Sequence, residues 1–317
     1  MTNPRRTILS YSLSDKDRKA HLKKNVKQLL LDTATCKSAR VLLANPTAIL
    51  FDSTLALRAN CEAIILMLCF PSIITLIYEP DSIHNNPLLT RLGYNDACVT
   101  FDTKPAVYFA ICLFCFAVYF CGFHVNHTHA RLKLEVETDR VEMSPPTKMF
   151  CKVANWSFFL GNCFFSLCFM IPPQESTWWH TIPFVVYMVV RYLAITAAFV
   201  EEAHSSPGAT ISAHEIGTKR YMLVYGIATF CAPICWFICY ANYDSICQNI
   251  PEGACVDYSP PVPWFITATF DYVWFLSLPL APVFLPNNSL LNPEALLKAY
   301  DPELAFVETT DNVDNKL

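Results

Sequence analysis

Six stretches of the chain are predominantly apolar over bilayer length: Cys61–Tyr78, Ala106–Phe123, Val153–Pro172, Thr181–Val200, Tyr221–Ala241 and Val262–Leu285. A hydrocarbon core about 30 Å thick takes roughly 20 helical residues at 1.5 Å each, so every run predicts one crossing helix. A β-barrel would instead show short alternating segments. The expected fold is an all-α integral membrane protein, a six-transmembrane-helix bundle over 61–285. An N-terminal segment, 1–60, precedes it, and a polar, acidic tail, 286–317, follows.

The polar residues between the runs set the orientation. Arg5, Arg6, Lys16, Arg18, Lys19, Lys23, Lys24, Lys27, Lys37, Arg40 and Arg58 lie before the first run. The first connection holds only Arg91 and Lys104, and the second has Arg131, Lys133, Arg140, Lys148 and Lys152. The third and fifth have none, and the fourth has Lys219 and Arg220. Basic residues collect on the cytoplasmic side, so both termini are expected there, or in the matrix if the membrane is mitochondrial. In Ser14–Leu31, Leu22, Val26, Leu29 and Leu30 share one side among five lysines, as in a basic amphipathic helix on an anionic inner surface or, equally, a solvated helix. Residues 1–60 lack an apolar h-region, so the first span is expected to serve as targeting signal. Pro293–Val307 reads as one short helix, with a disordered end beyond it.

Composition agrees: of 317 residues, 53% are hydrophobic and 16% charged, too apolar a balance for a soluble domain. Most of the 15 cysteines fall inside the runs, where the thiol packs as a small hydrophobe. Cys231, Cys235 and Cys239 form a stripe rather than a cage, and the histidines at 124, 127 and 129 have no acidic or thiol partner pattern, so no metal is expected. Cys98, Cys247 and Cys255 fall in outer loops. The last two are eight apart across Ile250-Pro251-Glu252-Gly253, a turn that lets them close a disulfide.

The candidate chemistry is intramembrane. Arg191 is ten residues beyond Thr181 and Asp271 nine beyond Val262 on two spans running the same way, which places both about 14–15 Å below the outer edge. A lone charge in hydrocarbon is costly, so an Arg191–Asp271 pair is expected in the interior, with Asn162 close enough to satisfy another guanidinium donor. Trp178 and Trp179 are expected to anchor the outer interface, with His180 beside them. No phosphate loop, H-E-x-x-H pair or G-x-S-x-G elbow occurs, so no catalytic residue and no cofactor beyond bound lipid is expected.

The order of features resembles the six-helix family of the DRAM autophagy modulators and the Golgi factor acting after GPI attachment to proteins. It rests on the cytoplasmic termini and on the very short outer turn between the third and fourth spans, with His180 opening the fourth. Asn242 and Cys247 in the last outer loop and Asp271-Tyr272 in the last span complete it. The chain departs from that pattern at Thr181 and Asp271, where the family usually has Glu, and in its first outer loop. The resemblance implies lipid handling in Golgi or endolysosomal membranes, in GPI-anchor remodelling or autophagy control, without a catalytic centre. Membrane lipids are then the partners, and nucleic acid is not. Two other classes stay open: an accessory subunit of a larger, for instance mitochondrial respiratory, complex, and a transporter or embedded enzyme that uses Arg191 to hold an anionic group.

Overall fold

The computed structural model describes residues 27, 31–32, 34–44, 55–137, 143–205, 211–247, 250, 255 and 258–284. Most of the amphipathic segment 14–31, the turn 251–254 and the tail from 285 lie outside the described residues. The α-helices are α1 (Lys37–Ala44), α2 (Leu55–Tyr78), α3 (Asp81–His84), α4 (Pro87–Leu92), α5 (Ala106–Glu137), α6 (Pro145–Phe165), α7 (Thr177–Ser205), α8 (Ile211–Cys247), α9 (Trp264–Ser277) and α10 (Ala281–Phe284). Short 3-10 turns occupy Ala97–Phe101, Ser166–Phe169 and Leu278–Leu280, and no strand occurs among the described residues. α2 packs along α5, α6 along α7, and α8 along α9.

Four helices are long and apolar enough to cross a membrane: Leu55–Tyr78, Ala106–Ala130, Thr177–Glu201 and Gly217–Cys247. The other two expected spans do not reach that standard. α6 opens with Lys148 and Lys152 in its first turns and gives way to a 3-10 turn after Phe165. α9 has only 14 residues before the chain tightens at Leu278–Leu280 and resumes as α10. The connection expected as a solvated loop over 131–152 is much shorter, because α5 continues to Glu137 and Ser144 caps α6 through the Thr147 amide. Pro145 and Pro146 stand in the first turn of α6, where a missing N–H costs nothing.

The end of α2 opposite Tyr78 carries a buried carboxylate, Glu62. Its oxygens accept the backbone N–H groups of Ser38 and Ala39 at 3.0 and 2.8 Å, so it serves as the N-terminal cap of α1 and fastens that helix to the bundle. Leu42 on α1 is buried by the same contact. Glu62→Ala leaves those two donors without an acceptor. The expected outcome is faster hydrogen exchange at the amides of 38–39, with the amides of α7 unchanged.

Packing in the bundle interior is largely aromatic. Phe165 and Phe184 lie with centroids 5.6 Å apart, Phe184 reaches Trp236 and Trp274 at 5.6 and 5.4 Å, and Tyr187 lies 5.0 Å from Phe165. Two glycines permit close approach. A Cβ on Gly161 of α6 would collide with Val190 Cγ2 of α7, and one on Gly226 of α8 would fall 2.9 Å from the Tyr192 hydroxyl.

Candidate functional site

Residues 79–105, between α2 and α5, fold over one end of the bundle as a cap. Local signals build it. Asn86 caps α4 by accepting the Leu89 N–H at 2.7 Å, Pro87 pre-sets the first turn, and Gly93 at φ 77° ends the helix in the left-handed conformation. Asp96 then caps the 3-10 turn by accepting the Cys98 N–H at 2.8 Å.

Side chains from three other segments hold the cap down. Arg91 pairs with Asp244 at 2.9 Å and lies over the Tyr243 ring, 4.6 Å from its centroid. Trp178 Nε1 donates to the other Asp244 oxygen at 2.7 Å while its ring stacks on Phe237. The Tyr258 hydroxyl contacts the Arg91 and Cys239 carbonyls at 3.2 and 2.9 Å, and the Tyr272 hydroxyl donates to the Asn95 carbonyl at 3.0 Å. Cys247 and Cys255 are joined by a disulfide, Cα atoms 6.0 Å apart, which ties the end of α8 to the segment carrying Tyr258. Trp178 thus bonds the carboxylate that pairs with Arg91, whereas Trp179 is 61% exposed.

Beneath this cap lies a buried polar cluster. His180, in the first turn of α7, presents Nδ1 to the carbonyls of Ile171 and Cys168 at 2.9 and 3.1 Å. Both partners are acceptors, so in the neutral imidazole the proton sits on Nδ1 and Nε2 carries the lone pair. Nε2 lies 3.6 Å from Asp102 Oδ2, each side chain 3% exposed, too far for a hydrogen bond. From α9, Asp271 Oδ2 accepts the Tyr94 hydroxyl at 3.3 Å, and that hydroxyl accepts Trp236 Nε1 at 3.0 Å. The Asp96, Asp102 and Asp271 side chains are all buried. His180 Nε2, both Asp102 oxygens and Asp271 Oδ1 have no hydrogen-bond partner.

Burial pushes the Asp102 carboxyl well above the usual carboxylate range, and the Asp96 charge adds to it; burial likewise raises Asp96, against the lowering by the Cys98 amide. A carboxyl raised in the fold contributes stability that is fully present below its unfolded value of about 3.9 and is lost as pH rises through its folded value. Thermal unfolding of the wild type should therefore begin lower at pH 7.5 than at pH 5. Asp102→Asn should flatten that dependence and melt at or above the wild type at pH 7.5, as scanning in detergent at the two pH values would read.

The deeper polar group differs from the expected pair. Arg191 is fully buried, yet it does not meet Asp271. One guanidinium nitrogen donates to Asn60 Oδ1 and to the Tyr187 hydroxyl, both at 2.8 Å, and the second donates to Cys61 Sγ at 3.0 Å. Its charge lies over the Phe158 ring, 5.4 Å from the centroid. The reason is depth. α7 begins at Thr177 and α9 at Trp264, so Arg191 is 14 residues along its helix and Asp271 seven along its own. At 1.5 Å per residue that separates them by roughly 10 Å. Asn162 does not bond Arg191 either: its amide donates to the Phe158 carbonyl at 2.8 Å and to Cys121 Sγ at 3.3 Å.

The residues the sequence reading overlooked are Asn60, Tyr187, Glu62, Tyr94, Asp96 and Asp102. Tyr187 was within reach, since it sits one turn before Arg191 on the same helix face. Glu62 was likewise within reach, as a carboxylate in an apolar run. Asp96 and Asp102 carry no such signal, because a loop carboxylate in sequence cannot be told from a solvated one. The histidines at 124 and 127 are buried within α5, and no group of metal-ligating side chains able to hold an ion occurs among the described residues.

The class these features define is an all-helical protein with four apolar helices of membrane-crossing length and a capped polar cluster at one end of its bundle. Compared with known proteins, the chain matches no family model, no curated protein and no solved structure.

Proposed function

We propose that this chain is a six-span membrane protein with both termini cytoplasmic, and that it handles lipid at the opposite leaflet of a Golgi or endolysosomal membrane, in the manner of the DRAM and post-GPI-attachment proteins it resembles. The loop charges support the orientation, since the basic connections fall on one side and the cap loop on the other. The observation that carries the lipid reading is the capped cluster. It stands at one end of the bundle and keeps orphaned polar atoms that the fold does not satisfy. Arg191, by contrast, is held by Asn60, Tyr187 and Cys61, which favours a tie between α2 and α7 over a substrate site.

Native mass spectrometry of the full chain released from nanodiscs tests this. The expected result is lipid retained in stoichiometric amount, and less of it after Arg91→Ala, which loosens the cap. Release with no lipid bound, together with a stoichiometric protein partner and fractionation with mitochondria, would overturn the reading in favour of an accessory subunit.

A further inference from the structure

The end of the bundle away from the cap presents a surface that the fold leaves uncovered. α1 is held there on one side: Ser38 and Leu42 are buried against the bundle, and the Glu62 carboxylate accepts the Ser38 and Ala39 amides. Lys37, Arg40, Val41, Leu43 and Ala44 are all exposed. At about 100° per residue, Lys37, Arg40 and Ala44 centre the outward face, and Val41 and Leu43 flank them. Two large aliphatic side chains, 40% and 51% exposed, thus stand beside two basic ones. They do so on an eight-residue helix, too short to be stable by itself.

The place of α1 in the fold says what such a face can meet. Glu62 is the second residue of the apolar run Cys61–Tyr78, so the carboxylate that caps α1 stands at the inner edge of the first span. α1 itself is only about 12 Å long, which keeps it within reach of the zone where headgroups give way to acyl chains. Water alone leaves Val41 and Leu43 hydrated, and hydrocarbon alone strands Lys37 and Arg40. The boundary suits both: aliphatic side chains and the stems of the basic ones lie at the acyl edge, with the charged heads among phosphates.

Charge selects the kind of surface. Residues 1–60 hold eleven basic residues against four acidic, a net charge of +7. Asp32 lies 3.6 Å from Lys37, yet the Lys37 side chain stays 57% exposed, so that contact neutralises little of the face. A basic face of this kind is drawn to a leaflet rich in anionic lipid.

We propose that α1 docks on an anionic membrane surface, the phosphatidylserine-bearing inner leaflet, through Lys37, Arg40, Val41 and Leu43, while Glu62 keeps the docked helix fixed to the bundle. It rests on the orientation proposed above only for which leaflet is meant, and it is independent of lipid handling under the cap.

Hydrogen exchange of the full chain in phosphatidylcholine nanodiscs, with and without phosphatidylserine, tests it. Phosphatidylserine is expected to slow the amides of 40–44 by about fivefold for each basic side chain engaged, and high salt to reverse the slowing. Lys37→Glu combined with Arg40→Glu should abolish the slowing and leave the amides of 38–39, which Glu62 holds, as protected as in the wild type. Leu43→Ser, which keeps both charges, should exchange faster than the wild type at 40–44 in either lipid. Equal rates with and without phosphatidylserine would overturn the proposal, as would slowing that survives the charge reversal. Amides of 40–44 equally slow in lipid-free detergent and in both lipids would also overturn it, and would assign the face to another part of this chain. Both faces of a nanodisc carry the same lipid, so the orientation, read from tagged termini, can fail without this surface failing.

Discussion

Arg191→Ala is expected to be the most damaging single substitution, lowering stability by about 3–5 kcal/mol. Truncation opens a cavity against Phe158 and Tyr187, and it strips the Asn60 carbonyl oxygen, the Tyr187 hydroxyl and Cys61 Sγ of their common donor. Arg191→Lys should fall between, because an ammonium cannot reach three acceptors with the fork of a guanidinium. Chemical unfolding of the full chain in detergent would rank the variants. A double-mutant cycle between Arg191→Ala and Asn60→Ala should return a coupling of about 1 kcal/mol or more. The reciprocal exchange of Arg191 with Asp271 is expected to recover no folded yield, since the two side chains sit at different depths. Recovery would mean that they are partners after all.

Gly161→Ala is the second. One added methyl on α6 meets Val190 Cγ2 on α7, and Val190, branched at Cβ on a helix, has almost no alternative rotamer to retreat into. The two helices must separate or slide, at a cost of about 2 kcal/mol. Val190→Ala in the same chain removes the colliding methyls and should restore most of the lost Tm. A variant that melts like the wild type without that second change would show that the α6–α7 crossing has room to spare.

Legibility in the sequence followed the range of the interaction. Helices were readable because length and apolarity are local, and the sequence runs and α2, α5, α7 and α8 share their cores. Helix ends were less so: α5 and α8 extend well past the apolar runs that marked them. That error carried into the site. Counting depth from Thr181 and Val262, rather than from Thr177 and Trp264, put Arg191 and Asp271 at one level and made them look like partners. The Cys247–Cys255 bond was accessible because an eight-residue spacing with a turn between is a local geometric statement. The cap cluster was not, since Asp96 and Asp102 become remarkable only once Arg91–Asp244 and Tyr258 fold residues 79–105 down onto His180.

The contact of Arg191 with Asn60 and Cys61 joins residues 130 and 131 positions apart in the chain, and that separation bears on biogenesis. During synthesis α2 reaches the insertion machinery long before α7, carrying an amide and a thiol whose partner does not yet exist. When α7 emerges, its guanidinium makes it a poor candidate for release into lipid on its own. The favourable exit is alongside α2, where two of its three acceptors, Asn60 Oδ1 and Cys61 Sγ, wait. The segment between them therefore has to be threaded and held in a state from which α2 is still accessible, and a chain stopped before α7 would display an unmet polar face within the bilayer, a signal by which quality control can distinguish incomplete products from finished ones.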